Sequence, residues 1–111
     1  MRIGIVGQGY VGTAVRTIFE KHYDVYTYDI KEKCNCSDMN ELVVESDIIF
    51  VCVPTPMNKD GSCNLDIVKN VVGEIDEISY DDWVSDGKIV AIKSTVPPGT
   101  TNDLNKGCKN I

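Results

Sequence analysis

The chain has 111 residues, 42% of them apolar, and 17 acidic against 11 basic side chains give it a formal net charge of −6. That length fits a single domain able to bury a core of its own. An acidic balance without a dense basic run cannot track a phosphate backbone, so nucleic acid is not an expected partner. The longest apolar runs fall far short of the roughly 20 residues that a bilayer crossing requires, so no membrane partner is expected either.

Arg2 to Val6 reads as a buried strand. Val11, Ala14, Val15, Ile18 and Phe19 recur at helical spacing, which predicts a helix from Val11 to about His22 with one face on a sheet. Asp24 to Tyr28 (DVYTY) alternates and is rich in β-branched and aromatic residues, a second strand. Cys34 to Cys36 is a candidate short edge strand, and Ser37 or Asp38 is positioned to cap a helix running to about Glu45. The continuously apolar run Ile48 to Val53 suits a strand covered on both faces of a parallel sheet, and it stops at VPTP. Leu65, Val68, Val71, Val72, Ile75 and Ile78 mark a third helix face, followed by a polar loop with Trp83 and an Asp86-Gly87 turn. Lys88 to Ile92 is the fourth strand, KSTVPPGTT follows it, and a last helix starts after Gly99.

Strands alternating with helices in this order predict an α/β domain: a doubly wound, Rossmann-type, mostly parallel sheet over residues 1–111, incomplete at its C-terminal edge. The final strand is then an unpaired edge, which offers a route to self-association.

The stretch GQGYVG, residues 7–12, follows the first strand and opens the first helix. A dinucleotide pyrophosphate must approach bare N–H groups at a helix N-terminus, where the helix dipole favours an anion. Gly7 permits the tight turn, Gly9 allows the close approach and Gly12 lets the helix lie against the sheet. Asp29 stands at the end of the second strand, where a carboxylate accepts from the adenosine ribose hydroxyls and repels a 2′-phosphate; NAD is therefore the expected cofactor. Lys31 and Lys33 stand nearby and would soften that discrimination. Ligands of open α/β sheets lie beyond the carboxyl ends of the strands, so VPTP and STVPPGTT bring Thr55, Ser94 and Thr95 forward as groups near ribose or nicotinamide.

With GQGYVG at 7–12, VPTP followed by DGSCNLD across 53–66, and KSTVPPGTT at 93–101, the sequence resembles the NAD-binding N-terminal domain of the UDP-glucose/GDP-mannose dehydrogenase family. The resemblance covers essentially the whole chain but only the first part of a family member. It implies four-electron oxidation of a sugar-nucleotide alcohol to a uronic acid with two NAD molecules in succession. By position it places Gly7, Gln8, Gly9, Tyr10, Val11, Gly12 and Asp29, with Lys33 nearby, at the adenosine and pyrophosphate half. It places Val53, Pro54, Thr55, Ser94, Thr95 and Val96 along the remainder, with Thr95 close to the reacting centre, where it helps hold a water. Where family members carry a Lys or Arg, five residues after the ribose aspartate, this chain has Cys34, with Lys33 one place early. The family's acid/base glutamate, its catalytic lysine and its nucleophilic cysteine lie in segments this sequence does not contain, so the chain alone is expected to bind NAD and oxidise nothing. A nucleotide sugar becomes a partner only if the substrate domain is supplied. A different kind of reading is a non-catalytic binding module that pairs with another chain.

The cysteines, Cys34, Cys36, Cys52, Cys63 and Cys108, are odd in number and form no C-x-x-C pair, and no leader-like stretch precedes the first strand, which fits reduced thiols in the cytoplasm. With His22 the sole imidazole, Cys34-x-Cys36 is read as packing or loop cysteine and no metal is expected. Neither Cys52, in a strand, nor Cys63, without an evident activating cation, is expected to replace the absent nucleophile. His22 is read as an exposed helix terminus.

Overall fold

A computed structural model describes residues 1–31, 34–79, 88–108 and 111. Four strands, β1 (Arg2–Val6), β2 (Asp24–Tyr28), β3 (Ile48–Val51) and β4 (Ile89–Ile92), alternate with α1 (Tyr10–Phe19), α2 (Met39–Glu45), α3 (Asp66–Ser79) and α4 (Thr100–Gly107). All pairings are parallel, in the order β2-β1-β3-β4. Trp83 and the Asp86-Gly87 turn lie outside the described residues.

The strand order fixes where each helix goes. From β1 the chain steps outward to β2, then returns past β1 to β3 and continues to β4. With right-handed crossovers, opposite directions of travel put α1 on one face and α2 and α3 on the other. The core divides accordingly. Ile3 and Ile5 of β1 bury against Val15 and Phe19 of α1. Val6, Ile49 and Val51 bury against Leu42 and Val43 of α2 and Val68, Val72 and Ile75 of α3. Each such side chain contributes about 1.5–3 kcal/mol on full burial.

The inward stripe of α1 is narrower than its sequence period suggests. Gly12 and Val15 are buried and Phe19 half-buried, stacked on Phe50 at 5.4 Å, whereas Val11, Ala14 and Ile18 are exposed. The contact of Gly12 with the preceding turn sets the rotation of the helix, and the stripe then follows Gly12, Val15 and Phe19. α3 buries Val68, Val72 and Ile75 as its spacing predicts. Asp38 caps α2 by accepting from Glu41 N (2.9 Å), while the Glu41 carboxylate reaches back to the Ser37 amide (2.9 Å).

The two outer strands end the sheet differently. Cys34 to Cys36 is not a strand. Instead the Asn35 carboxamide imitates one: Oδ1 accepts from Thr27 N (2.7 Å), Nδ2 donates to Val25 O (2.8 Å), and the Cys36 amide donates to Thr27 O (3.1 Å). The Asn35 side chain and the Cys36 amide together thus occupy three main-chain groups on the outer edge of β2. On the far side, no strand among the described residues pairs with the outer edge of β4. Likewise, no helix among them is long and apolar enough to cross a membrane.

Candidate cofactor site

The reversal of strand order falls between β1 and β3, and an open α/β sheet offers its crevice at the carboxyl ends flanking that point. Gly7 ends β1 there. Its φ is +97°, a conformation side chains disfavour, and a Cβ on it would lie 2.7 Å from the Cys52 carbonyl oxygen at the end of β3. Its amide donates to Tyr28 O (2.8 Å), which ties the turn to β2. Gly12 is more constrained still: a Cβ would overlap the Gly7 carbonyl oxygen and sit 2.8 Å from its carbonyl carbon. Gly9 is the reverse case. It caps α1 in extended backbone without a side-chain cap bond, and a Cβ there would meet nothing within 4 Å. The sequence has therefore removed side chains at two positions to let the chain pack on itself and at a third to leave open space. That space adjoins the first helical amides, which have no intrahelical acceptor, and α1 carries no acidic residue in its first turn to compete for them. Tyr10 is almost wholly exposed and Val11 is exposed beside it, both on the solvent side of this helix start.

Asp29, just past β2, reaches the same turn. One carboxylate oxygen accepts from the Gln8 amide (2.7 Å) and the other from the Lys31 amide (2.7 Å). The carboxylate thereby braces the turn, holding the end of β2 to the loop that enters α1. The Gln8 side chain folds inward, its Nε2 donating to Gly7 O (3.2 Å) and its buried Oε1 having no hydrogen-bond partner. Lys33 lies outside the described residues.

The loops after β3 and β4 lie against each other at the same end of the sheet. Val53 is buried in the core and Pro54 is exposed. Ser94 Oγ donates to Val53 O (2.7 Å), and the amides of Lys93 and Ser94 donate to Val51 O (2.8 and 3.2 Å). Thr55 Oγ1 donates to Thr95 O (2.9 Å). Val96 packs against the core, and Thr95 is exposed. Residues named from sequence are thus brought together, but their hydroxyls differ. Those of Ser94 and Thr55 have donated their single proton to main-chain carbonyls, whereas Thr95 has no such bond among those described. Sequence reasoning missed Cys63, whose Sγ approaches Thr95 O at 3.6 Å. A cysteine in a polar loop carries no spacing signal that would announce this contact.

Cys36, Cys52 and Cys108 are poorly suited to nucleophilic work. Burial pushes the thiols of Cys36 and Cys52 up to about 11, with Lys93 opposing the shift at Cys52, and burial raises that of Cys108 as well. A thiol so raised stays protonated at neutral pH. All five cysteines are free, and no metal-binding group of His, Cys, Asp and Glu occurs among the described residues. His22 is exposed just beyond α1.

Comparison with known proteins agrees with this geometry. Residues 34–110 match the NAD binding domain of the UDP-glucose/GDP-mannose dehydrogenase family. The glycine turn and Asp29 precede that span, but similarity to individual proteins extends across them. UDP-N-acetyl-D-mannosamine dehydrogenase of Methanococcus maripaludis is 29% identical over 93% of this chain, and UDP-glucose 6-dehydrogenase of Haloferax volcanii is 31% identical over 94%. The chain spans 30% of the length of each. Among solved structures, GDP-mannose dehydrogenase from Pseudomonas aeruginosa, in a ternary complex, superposes with a TM-score of 0.83 at 27% identity, covering 94% of this chain and 30% of that one. UDP-D-ManNAc dehydrogenase from Pyrococcus horikoshii gives 0.76 at 26% identity, covering 96% and 31%. The chain belongs to the UDP-glucose/GDP-mannose dehydrogenase family, as its NAD-binding, Rossmann-type domain.

Proposed function

We propose that this chain is the cofactor-binding part of a nucleotide-sugar 6-dehydrogenase, which takes a sugar alcohol to a uronic acid, and that by itself it binds NAD without turning over. The observation that carries this reading is the open space at Gly9 beside the first amides of α1, with the Asp29 carboxylate at its margin. The turn Gly7, Gln8, Gly9, Tyr10, Val11 and Gly12 holds the pyrophosphate: Gly7 and Gln8 shape it, their amides being bonded to Tyr28 O and Asp29, and the amides at the start of α1 supply the unpaired donors that, with the helix dipole, favour an anion. Asp29 accepts from the adenosine ribose, with Lys33 alongside. Val53, Pro54, Thr55, Ser94, Thr95 and Val96 wall the nicotinamide side. NAD supplies the hydride acceptor. Within this chain the exposed hydroxyl of Thr95 is the group able to hold a water or a ribose oxygen.

Inactivity of the isolated chain is supported by its own chemistry. Covalent capture of an aldehyde needs a thiolate next to the nicotinamide and a base to collect protons. Cys52, the thiol at the end of β3, is pushed up to about 11. Calorimetric titration with NAD and NADH, followed by assay of NADH production from UDP-glucose and from GDP-mannose, tests the reading. Binding without turnover is expected. Turnover overturns the inactivity, and failure to bind either nucleotide overturns the site.

A second reading, a module that pairs with another copy, is favoured by the open outer edge of β4. A concentration series in analytical ultracentrifugation that stays monomeric throughout removes it.

A further inference from the structure

We propose that Thr55 and Cys63 are positioning residues that act on the cofactor through the Thr95 carbonyl rather than by hydrogen-bonding to it. The inference rests on the cofactor site proposed above. Thr95 O receives two donors from the loop after β3, the Thr55 hydroxyl at 2.9 Å and the Cys63 thiol at 3.6 Å. That loop is itself a closed unit: Met57 bridges Cys63, Asn58 N donates to Ser62 O (2.7 Å), and Asn64 N donates to Pro56 O (2.7 Å). A peptide oxygen has two lone pairs, so two donors saturate it and fix the plane of the Thr95–Val96 peptide. Val96 is anchored in the core immediately beyond.

The segment between β4 and α4 has no regular structure of its own, yet it carries the one hydroxyl of this region left exposed, on Thr95. Two tethers on its carbonyl hold that hydroxyl at the carboxyl ends of β3 and β4 before any ligand arrives, and a group fixed in advance loses less freedom on binding. The same geometry argues against Thr55 as a donor to the cofactor, because its single O–H proton is already engaged.

The test separates the two halves of the site. ADP reaches only the glycine turn and Asp29, whereas NAD also reaches the loops after β3 and β4. Calorimetric titrations of the whole chain with NAD and with ADP are compared for wild type, Thr55→Val, Thr55→Ser, Cys63→Ala and Cys63→Ser. Loss of one neutral hydrogen bond predicts about five-fold weaker NAD binding by Thr55→Val, with ADP binding within about two-fold of wild type. Thr55→Ser restores NAD binding. Cys63→Ala gives a smaller loss in the same direction, which Cys63→Ser reverses. Equal effects on both ligands, or none on either, overturn the proposal, as does a wild type that binds NAD no more tightly than ADP. Should Thr55→Val fail to fold, the Cys63 pair carries the same comparison. A wild type that binds neither ligand sinks the site itself, an outcome distinct from the loss of this inference.

Discussion

The two halves of the proposed cofactor site are built by opposite means. The turn from β1 into α1 is shaped by atoms that are missing: Gly7 and Gly12 let one segment of main chain press on another, and no side chain could take either place without moving backbone. The loops after β3 and β4 are shaped by atoms that are present, the hydroxyls of Ser94 and Thr55 and the thiol of Cys63 reaching across to carbonyls some 30 to 40 residues away. A steric constraint of the first kind is nearly absolute. A hydrogen-bonded latch of the second kind contributes only about 0.5–1.5 kcal/mol per bond, so this half is the adjustable one.

Substitutions at the two places sharpen or break that contrast. The largest effect belongs to Gly12→Ala, whose added methyl overlaps the Gly7 carbonyl. We expect a loss of about 3 kcal/mol or more in urea unfolding, together with loss of NAD binding. A variant of near wild-type stability contradicts the packing described. Ser94→Ala comes next, since it removes the donor to Val53 O. About 1 kcal/mol of stability is expected to go, read as a lower urea midpoint at unchanged slope. Gly9→Ala separates stability from binding. Its methyl meets no protein atom within 4 Å, so the unfolding free energy from urea titration changes by less than about 1 kcal/mol. NAD affinity measured by calorimetry nevertheless falls several-fold, because the methyl occupies the ligand's volume; unchanged affinity would place the pyrophosphate elsewhere.

Two thiols shielded from solvent, Cys36 in the core and Cys52 just past β3, make stability depend on pH as well. Burial raises the Cys36 and Cys52 thiols from 9.0 to about 11, so the folded chain keeps protons that the unfolded chain releases. Their contribution is therefore complete below pH 9 and declines as pH climbs toward 11. Urea midpoints should fall across that window, and the Cys36→Ala, Cys52→Ala double variant should fall less steeply. Equal slopes for the two chains would remove the thiols from the explanation.

The same contrast explains what the sequence revealed. The four strands, the cap at Asp38 and the inward face of α3 were legible because local pattern decides them. Gly7, Gly9 and Gly12 were legible as a motif because one spacing satisfies a turn, an approach and a helix contact together. The candidate strand at Cys34 to Cys36 misled because Asn35 supplies through its side chain the hydrogen bonds that a strand supplies through its backbone. Val11, Ala14 and Ile18 looked inward because period alone cannot set the rotation of α1, which Gly12 fixes through a contact outside the helix. Ser94, Thr55 and Thr95 do lie together at one end of the sheet, but which hydroxyl keeps its proton free depends on partners that only the folded chain brings within reach.

The unequal margins of the sheet carry a consequence of their own. With Asn35 sealing β2 and no strand among the described residues beside β4, additional strands can join from one side only. Enlargement of this domain is thereby given a direction, away from Asp29 and the glycine turn. A strand added there widens the sheet beyond β4 and leaves the brace between Asp29 and Gln8 as it is.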